Sequence, residues 1–138
     1  MSSSAAVQHG QLGIGRAPDG NNGDITAQGN IYAVGAVQSG YSDDNLKNRL
    51  GNIENALDKL DTLTGFYYEA NQTALDLGFL PGRQVGISAQ DAQKQMGEVV
   101  GPLAIQPEYL NVQYERLIPF IVEAIKELRQ QVNELKGK

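Results

Sequence analysis

Apolar residues recur at helical spacing through the last part of the chain. The positions that repeat every three or four residues are Ile118, Ile121, Ile125, Leu128, Val132 and Leu135, which we call the seam. Such spacing places a side chain at each a and d position of a heptad and predicts a coiled-coil-like helix. Pro119 is compatible only with a first helical turn, so the helix should begin near residues 116–118.

The heptad pattern leaves the number of associating helices open. Isoleucine at both core positions of the first heptad favours three strands, whereas leucine at the later d positions favours two. Leu117, Phe120 and Ala124 lie beside the seam and are expected to dock on an earlier helix of the same chain. The alternative interpretation is a helix that packs on a small sheet within one chain.

A second apolar series predicts the earlier helix. Its members follow one another at intervals of four and three residues: Leu46, Leu50, Ile53, Leu57 and Leu60. Ser42, Asp43 and Asp44 precede the series and supply the hydroxyl and carboxylates that favour a helix N-terminus. The spacing predicts one amphipathic helix of about four turns that ends before Gly65.

Short segments between the two helices predict strands and turns. Clusters of aromatic and β-branched side chains predict extended pieces at residues 66–70, 85–89 and 109–112. The other segments are predicted as a loop or short helix at 71–83, a short helix at 90–96 and irregular chain at 97–107. The expected fold class is α+β, with two main helices, short strands and a long closing helix.

Residues 1–41 differ from the rest of the chain in composition. They hold eight of the sixteen glycines and only three charged residues, Arg16, Asp19 and Asp24. This change predicts a boundary between an N-terminal segment, residues 1–41, and a domain formed by residues 42–138. Residues 1–23 are rich in serine, glycine and asparagine and are interpreted as an attachment tail.

Strict alternation replaces helical spacing from Asp24 onward. One face of this series carries small or branched residues: Ile25, Ala27, Gly29, Ile31 and Ala33. A period of two is typical of a half-buried strand. One strand with so small an apolar face is marginally stable alone, so a β-shaft built from it should need copies from other chains. The alternative is a disordered tail in which the alternation is accidental.

Charge and composition restrict the function. The net charge of −5 argues against nucleic acid or an anionic membrane as partner, because phosphates attract basic surfaces. The chain has no cysteine and one histidine, His9, so we expect no metal site and no cofactor. No apolar run approaches the roughly 18 residues of a membrane span, so we expect no membrane insertion.

One pair of residues is a candidate for chemistry. A lysine that has lost its proton can act as general base for a serine nucleophile. Ser42 and Lys47 can meet only if Ser42 lies in the turn before the helix and Lys47 folds back over the first turn. Free backbone N–H groups there could also hold an oxyanion. A serine cap followed by a surface lysine is the more common arrangement.

Taken in order, these segments resemble a known family. The stretches that carry the resemblance are residues 41–47 (YSDDNLK), 63–68 (LTGFYY), 85–91 (VGISAQD), 109–114 (YLNVQY) and 117–128 (LIPFIVEAIKEL). They are similar to the C-terminal intramolecular chaperone domain of phage endosialidases, tail spikes and tail fibres, which is also classed as a self-cleaving serine peptidase. Residues 23–30 (GDITAQGN) are similar to the repetitive shaft of phage tail fibres.

The resemblance implies a homotrimer that is made in the host cytoplasm and becomes part of the virion, in the phage tail. In such proteins the domain trimerises first and holds three shaft strands in register. This role is physically reasonable because intertwined β-structure has only non-local pairings and weak register information. Expected partners are other tail or baseplate proteins, reached through the N-terminus, and a host-surface receptor.

The resemblance also implies cleavage of the Tyr41–Ser42 bond, with Ser42 as nucleophile and Lys47 as its partner. Two functions follow as alternatives: a fibre that keeps its C-terminal domain, or a self-processing chaperone that is released from the mature fibre. Asn45 departs from the motif, since a basic residue is common there in the family. A eukaryotic membrane-bound transcription factor shares this domain, but the composition gives no membrane span and no basic DNA-binding region.

Overall fold

The computed structural model of the chain describes Ala27, residues 29–104 and residues 106–138. The chain divides into two units, Met1–Val37 and Gln38–Lys138. Within the described residues, all helices and strands belong to the second unit. Their mixture confirms the predicted α+β class.

The second unit alternates short helices with short strands and ends in a long helix. Its α-helices are α1 (Ala56–Asp61), α2 (Gln72–Asp76), α3 (Ala89–Gln95) and α4 (Ile118–Lys136). Its strands are β1 (Phe66–Tyr68), β2 (Gln84–Gly86), β3 (Val100–Leu103) and β4 (Gln106–Val112). Single 3₁₀ turns lie at Asp44–Leu46, Gly97–Val99 and Tyr114–Leu117.

The strands form two separate antiparallel sheets of two strands each. β1 pairs with β2, with Tyr67 opposite Val85. β3 pairs with β4, with Gly101 opposite Asn111, and the register shifts directly after Pro102. Proline has no N–H to give to a ladder, so an irregularity at this position is expected.

The prediction of irregular chain at residues 97–107 is wrong for the central part of this segment. Val100–Leu103 forms β3, although its glycine and proline are unfavourable in strands. Pairing with β4 imposes the extended conformation, which local sequence preferences do not reveal. The extended pieces predicted near residues 66, 85 and 109 are confirmed as β1, β2 and β4, and the short helices are confirmed as α2 and α3.

The core lies where α3, the sheet formed by β3 and β4, and the start of α4 meet. Its buried side chains are Ala92, Met96, Val99, Val112, Leu117 and Phe120. Ser88 caps α3, because its Oγ accepts a hydrogen bond from the N–H of Asp91 at 3.2 Å. The cap fixes where α3 begins, and α3 in turn delivers Ala92 and Met96 to the core.

The four-turn helix predicted from Leu46 to Leu60 is wrong in its first half. Only Ala56–Asp61 is α-helical, and residues 47–54 form neither helix nor strand. Gly51 has a φ of +145°, far from the helical region. Leu50 is fully exposed, so no packing energy offsets the cost of starting a helix there. We call residues 47–55 the arm.

The first unit is described at Ala27 and at residues 29–37, which are exposed and contain neither helix nor strand. The strand predicted from Asp24 onward is therefore not formed at Ala27 or at residues 29–33 of the single chain. The rest of that strand, residues 24–26 and 28, and the predicted attachment tail, residues 1–23, lie outside the described residues.

Candidate functional site

The segment around Ser42 is a compact turn held by its own side chains. Asp43 caps the 3₁₀ turn, since its Oδ1 accepts from the backbone N–H and the side-chain amide of Asn45 at 2.8 and 2.9 Å. Asp44 pairs with Arg49 at 2.8 Å on the exposed surface. These contacts give the turn a defined shape without any helix behind it.

Lys47 folds back over this turn, as the dyad hypothesis requires. Its Nζ donates to the backbone carbonyl oxygen of Ser42 at 2.8 Å. The structure therefore brings the two candidate residues together although they are five positions apart. The lysine contacts the carbonyl of Ser42, one peptide bond beyond the Tyr41–Ser42 bond at which cleavage is expected.

The backbone N–H groups of the turn are already engaged. The N–H of Asn45 donates to the carboxylate of Asp43, and those of Leu46 and Lys47 donate to the carbonyls of Asp43 and Asp44 at 3.1 Å. In this conformation these three groups cannot hold an oxyanion. Tyr41 and Ser42 are exposed, so water reaches the bond between them.

The seam forms an uncovered apolar face along α4. Its six side chains are between 40% and 69% exposed. Nothing in the part of the chain that the structure describes packs over them. Because polar and charged residues line the opposite side of α4, the helix is amphipathic with its apolar face open to solvent.

The neighbouring side of α4 packs within the chain, as predicted. Leu117, Phe120 and Ala124 are buried, and α1 lies against this side of the helix. The ammonium group of Lys59 on α1 lies 5.9 Å from the centre of the Phe120 ring. One helix thus presents two apolar faces, of which only one is covered by the described residues.

Glu127 joins α4 to the start of α1, a contact that the sequence did not reveal. Its Oε1 accepts from the N–H of Ala56 at 2.8 Å, and its Oε2 accepts from the N–H of Leu57 at 2.9 Å. The N–H groups of Leu57 and Ala56 lower the pKa of Glu127, while partial burial opposes and Lys59 adds to the lowering. Heptad spacing assigns Glu127 to an outward position, so no pattern pointed to it.

Two further features of the described residues bear on the site. They contain no group of three or more histidine, aspartate or glutamate side chains placed to hold a metal ion. None of their helices is both long and apolar enough to cross a membrane.

Comparison with known proteins gives one matching family and several relatives. Residues 42–101 match the family described as chaperone of endosialidase. The chain is 32% identical over 123 residues to the long tail fiber protein Gp37 of Enterobacteria phage K3, and equally to that of Enterobacteria phage T2. Each match covers 85% of this chain and 9% of the relative.

A shorter relative matches a smaller part of the chain. The long tail fiber protein Gp37 of Enterobacteria phage M1 is 30% identical over 97 residues, which cover 69% of this chain and 38% of the relative. The chain thus spans well under half the length of the curated relatives that it matches. Since 85% of the chain is more than residues 42–138, the similarity to the first two relatives extends into the N-terminal segment.

Proposed function

The chain has a C-terminal domain of the chaperone-of-endosialidase family, matched over residues 42–101, and from this premise we propose that it is a trimeric tail-fibre protein. In this proposal residues 42–138 associate first and assist the folding of a β-shaft formed by the segment before them. The protein would then be part of the virion, in the phage tail. Residues 1–41 would attach it to other tail or baseplate proteins, with a host-surface receptor as a further partner.

The observation that carries the proposal is the open seam on α4. A helix that packs only within its own chain would bury its most apolar stripe, yet the buried residues lie on the neighbouring side. Association of α4 helices from several copies would remove the seam from water, at about 0.8 kcal/mol for each CH₂ group buried. The choice of three copies rests on the isoleucine-rich first heptad together with the family.

The state of the N-terminal segment fits a need for assistance. Residues 29–41 of the single chain are exposed and form no strand. Their small apolar residues would give little burial within one chain, whereas three copies would bury them against each other. Joining the copies at residues 42–138 raises the effective concentration of the strands and aligns their register.

The oligomeric mass of the full chain tests this function. We expect light scattering and native mass spectrometry to give three times the 14.9 kDa mass of the chain. Removal of residues 125–138 takes away most of the seam and spares the buried Phe120 and Ala124. This truncated chain should be monomeric; a monomeric full chain, or a trimeric truncated chain, would contradict the proposal.

A second function, single-turnover cleavage of the Tyr41–Ser42 bond, is favoured by the contact between Lys47 and Ser42. In this reaction Ser42 Oγ would attack the carbonyl carbon of Tyr41 and give its proton to Lys47. The bond from that carbon to the nitrogen of Ser42 would break, and Lys47 would return the proton to the amine. Water would then hydrolyse the resulting ester. The lysine would first have to move from the carbonyl of Ser42 to its hydroxyl.

Intact mass after expression tests the cleavage. A fragment that begins at Ser42 should appear for the natural chain and be absent for Ser42→Ala and Lys47→Ala. Lys94→Ala is the matched control, because Lys94 pairs with Asp91 on α3 and contacts neither Tyr41 nor Ser42. Full-length mass for the natural chain after assembly would exclude this function and leave the trimeric fibre untouched.

A further inference from the structure

The first turn of α1 depends on a carboxylate from another helix. A helix N-terminus leaves its first N–H groups without intrahelical acceptors, and a side chain just before the helix usually accepts from them. Asn55 occupies that position but adopts a left-handed φ of 54°, and its side chain makes no cap hydrogen bond. Glu127 supplies both acceptors instead, from 70 residues further along the chain.

Glu127 lies on the same helix as the seam, on the side that faces α1. Ile125 and Leu128, which are seam residues, lie within two positions of it along α4. Assembly of the α4 helices would fix the rotation and register of the backbone from which Glu127 projects. The same carboxylate contacts the first residues after the arm, so any change in the position of α4 is transmitted to the end of the arm.

The arm has few other attachments. Its front end is held at the turn, where Lys47 contacts Ser42 and Arg49 contacts Asp44. Ile53 packs against the core, while Leu50 is fully exposed. The Glu127 carboxylate holds the first residues after its back end, where the arm enters α1.

We propose that Glu127 is a positioning residue, which couples α4 to the arm and thereby to the Ser42–Lys47 turn. The contact itself exists within one chain. Its link to assembly rests on the trimer proposed above, so the test measures the arm and the oligomeric mass separately.

Trypsin digestion of the full chain reports on the arm, because Lys47 and Arg49 are trypsin sites within it. In Glu127→Ala the arm should be cut about five-fold faster than in the natural chain, the change expected when a helix cap is lost. Glu123→Ala is the matched control, since Glu123 is one turn away on α4 and, among the described residues, bonds to Lys126 of the same helix. It should leave the rate unchanged, and equal rates for the two variants overturn the proposal.

Glu127→Gln keeps the test decisive if the alanine variant does not fold. It retains one oxygen acceptor and loses the charge. Its arm should therefore be cut faster than that of Glu123→Gln, but by less than the change of about five-fold expected for Glu127→Ala. Hydrogen exchange at the amides of Ala56 and Leu57 gives a charge-specific reading. Acid should reduce their protection in the natural chain but not in Glu127→Gln; the same acid response in both chains overturns the proposal.

Native mass spectrometry separates this inference from the proposed function. A monomeric natural chain whose arm still responds to Glu127→Ala contradicts the trimer and the link to assembly, and leaves the contact between helices intact. A trimeric natural chain whose arm does not respond contradicts the role of Glu127 alone.

Discussion

At the scale of single residues, a few polar and small side chains determine how the second unit is joined together. Glu127 replaces a missing helix cap, and Gly86 on β2 leaves room for the side chains of Tyr114 and Tyr68. A carbon added at Gly86 would lie 3.1 Å from both the hydroxyl oxygen of Tyr114 and Cε1 of Tyr68. Glycine is thus required at this position of the VGISAQD segment because the two tyrosines leave little room for a side chain, and not because the backbone angle is unusual.

The first prediction concerns the pH dependence of stability. The pKa of Glu127 is lowered in the folded chain, first by the N–H of Leu57 and then by that of Ala56. A lowered pKa contributes stability that is present above the ordinary glutamate range and is lost as the pH falls through the folded value. Glu127→Gln should therefore lower the melting temperature at neutral pH, and the difference from the natural chain should shrink as the pH falls below the ordinary glutamate range.

Thermal unfolding of both chains across this pH range measures the difference. Glu134→Gln is the control, because Glu134 is exposed and, within the described part of the chain, accepts from Gln130 on the same helix. A difference between the natural chain and Glu127→Gln that stays constant down to acid pH would contradict the assigned cause.

The second prediction concerns Gly86. Gly86→Ala should push the ring of Tyr114 away and weaken the hydrogen bond that its hydroxyl accepts from the N–H of Ile87 at 3.2 Å. Loss of a hydrogen bond of this kind costs about 0.5–1.5 kcal/mol, which denaturant unfolding can measure. Gly65→Ala is the control, since an added carbon there meets nothing within 4 Å. Equal loss in the two variants would be inconsistent with crowding.

At the scale of elements, the sequence correctly predicts the helices and strands whose bounds depend on local residue preferences. It does not predict those whose bounds depend on packing or pairing with distant residues. α4 begins at Ile118, as Pro119 and the heptad spacing require. α1 is much shorter than its apolar spacing predicts, because Leu46 and Leu50 stay exposed and none of the described residues covers them. The sequence does not predict β3, because these residues become extended only through pairing with β4.

The sequence likewise predicts one feature of the candidate site and misses the others. The spacing of Ser42 and Lys47 indicated that the lysine must fold back, and the structure places its Nζ on the carbonyl of Ser42. The engaged N–H groups of the turn could not be foreseen, since they depend on a 3₁₀ turn rather than an α-helix. The role of Glu127 depends on a contact across 70 residues, which no local pattern encodes.

The third prediction tests the cap of α3. Ser88→Ala removes the oxygen that accepts from the N–H of Asp91 and should destabilise the chain by about 1 kcal/mol. Ser88→Asp restores an acceptor at the same position and should recover most of the loss. Chemical denaturation measures both variants, and an alanine variant as stable as the natural chain would contradict the capping role.

At the scale of the whole molecule, the second unit has a small core and a large uncovered face. Its largest fully buried side chains are Met96 and Val99, whereas the seam extends along the whole of α4. Small domains with little core often gain stability from association. The structure thus connects two findings: Gln38–Lys138 forms one compact unit, and α4 within it keeps an apolar face that the described residues leave exposed.

The fourth prediction follows from this face. Ile125→Asp places a carboxylate at the centre of the seam, where three copies would bury three like charges in one layer. An unpaired buried charge costs about 3–5 kcal/mol, so association should weaken by more than about a hundredfold. Native mass spectrometry and light scattering should then show single chains. Because Ile125 is 61% exposed in the single chain, the circular dichroism spectrum should still show a folded α+β unit.

Asn133→Asp is the matched control for this substitution. It adds the same charge to α4 at an exposed position outside the seam, with little change in side-chain size. The control should keep the mass of the natural chain, which attributes dissociation to the seam rather than to net charge. If Ile125→Asp keeps that mass as well, the seam is not the interface, and association must use another surface of the second unit.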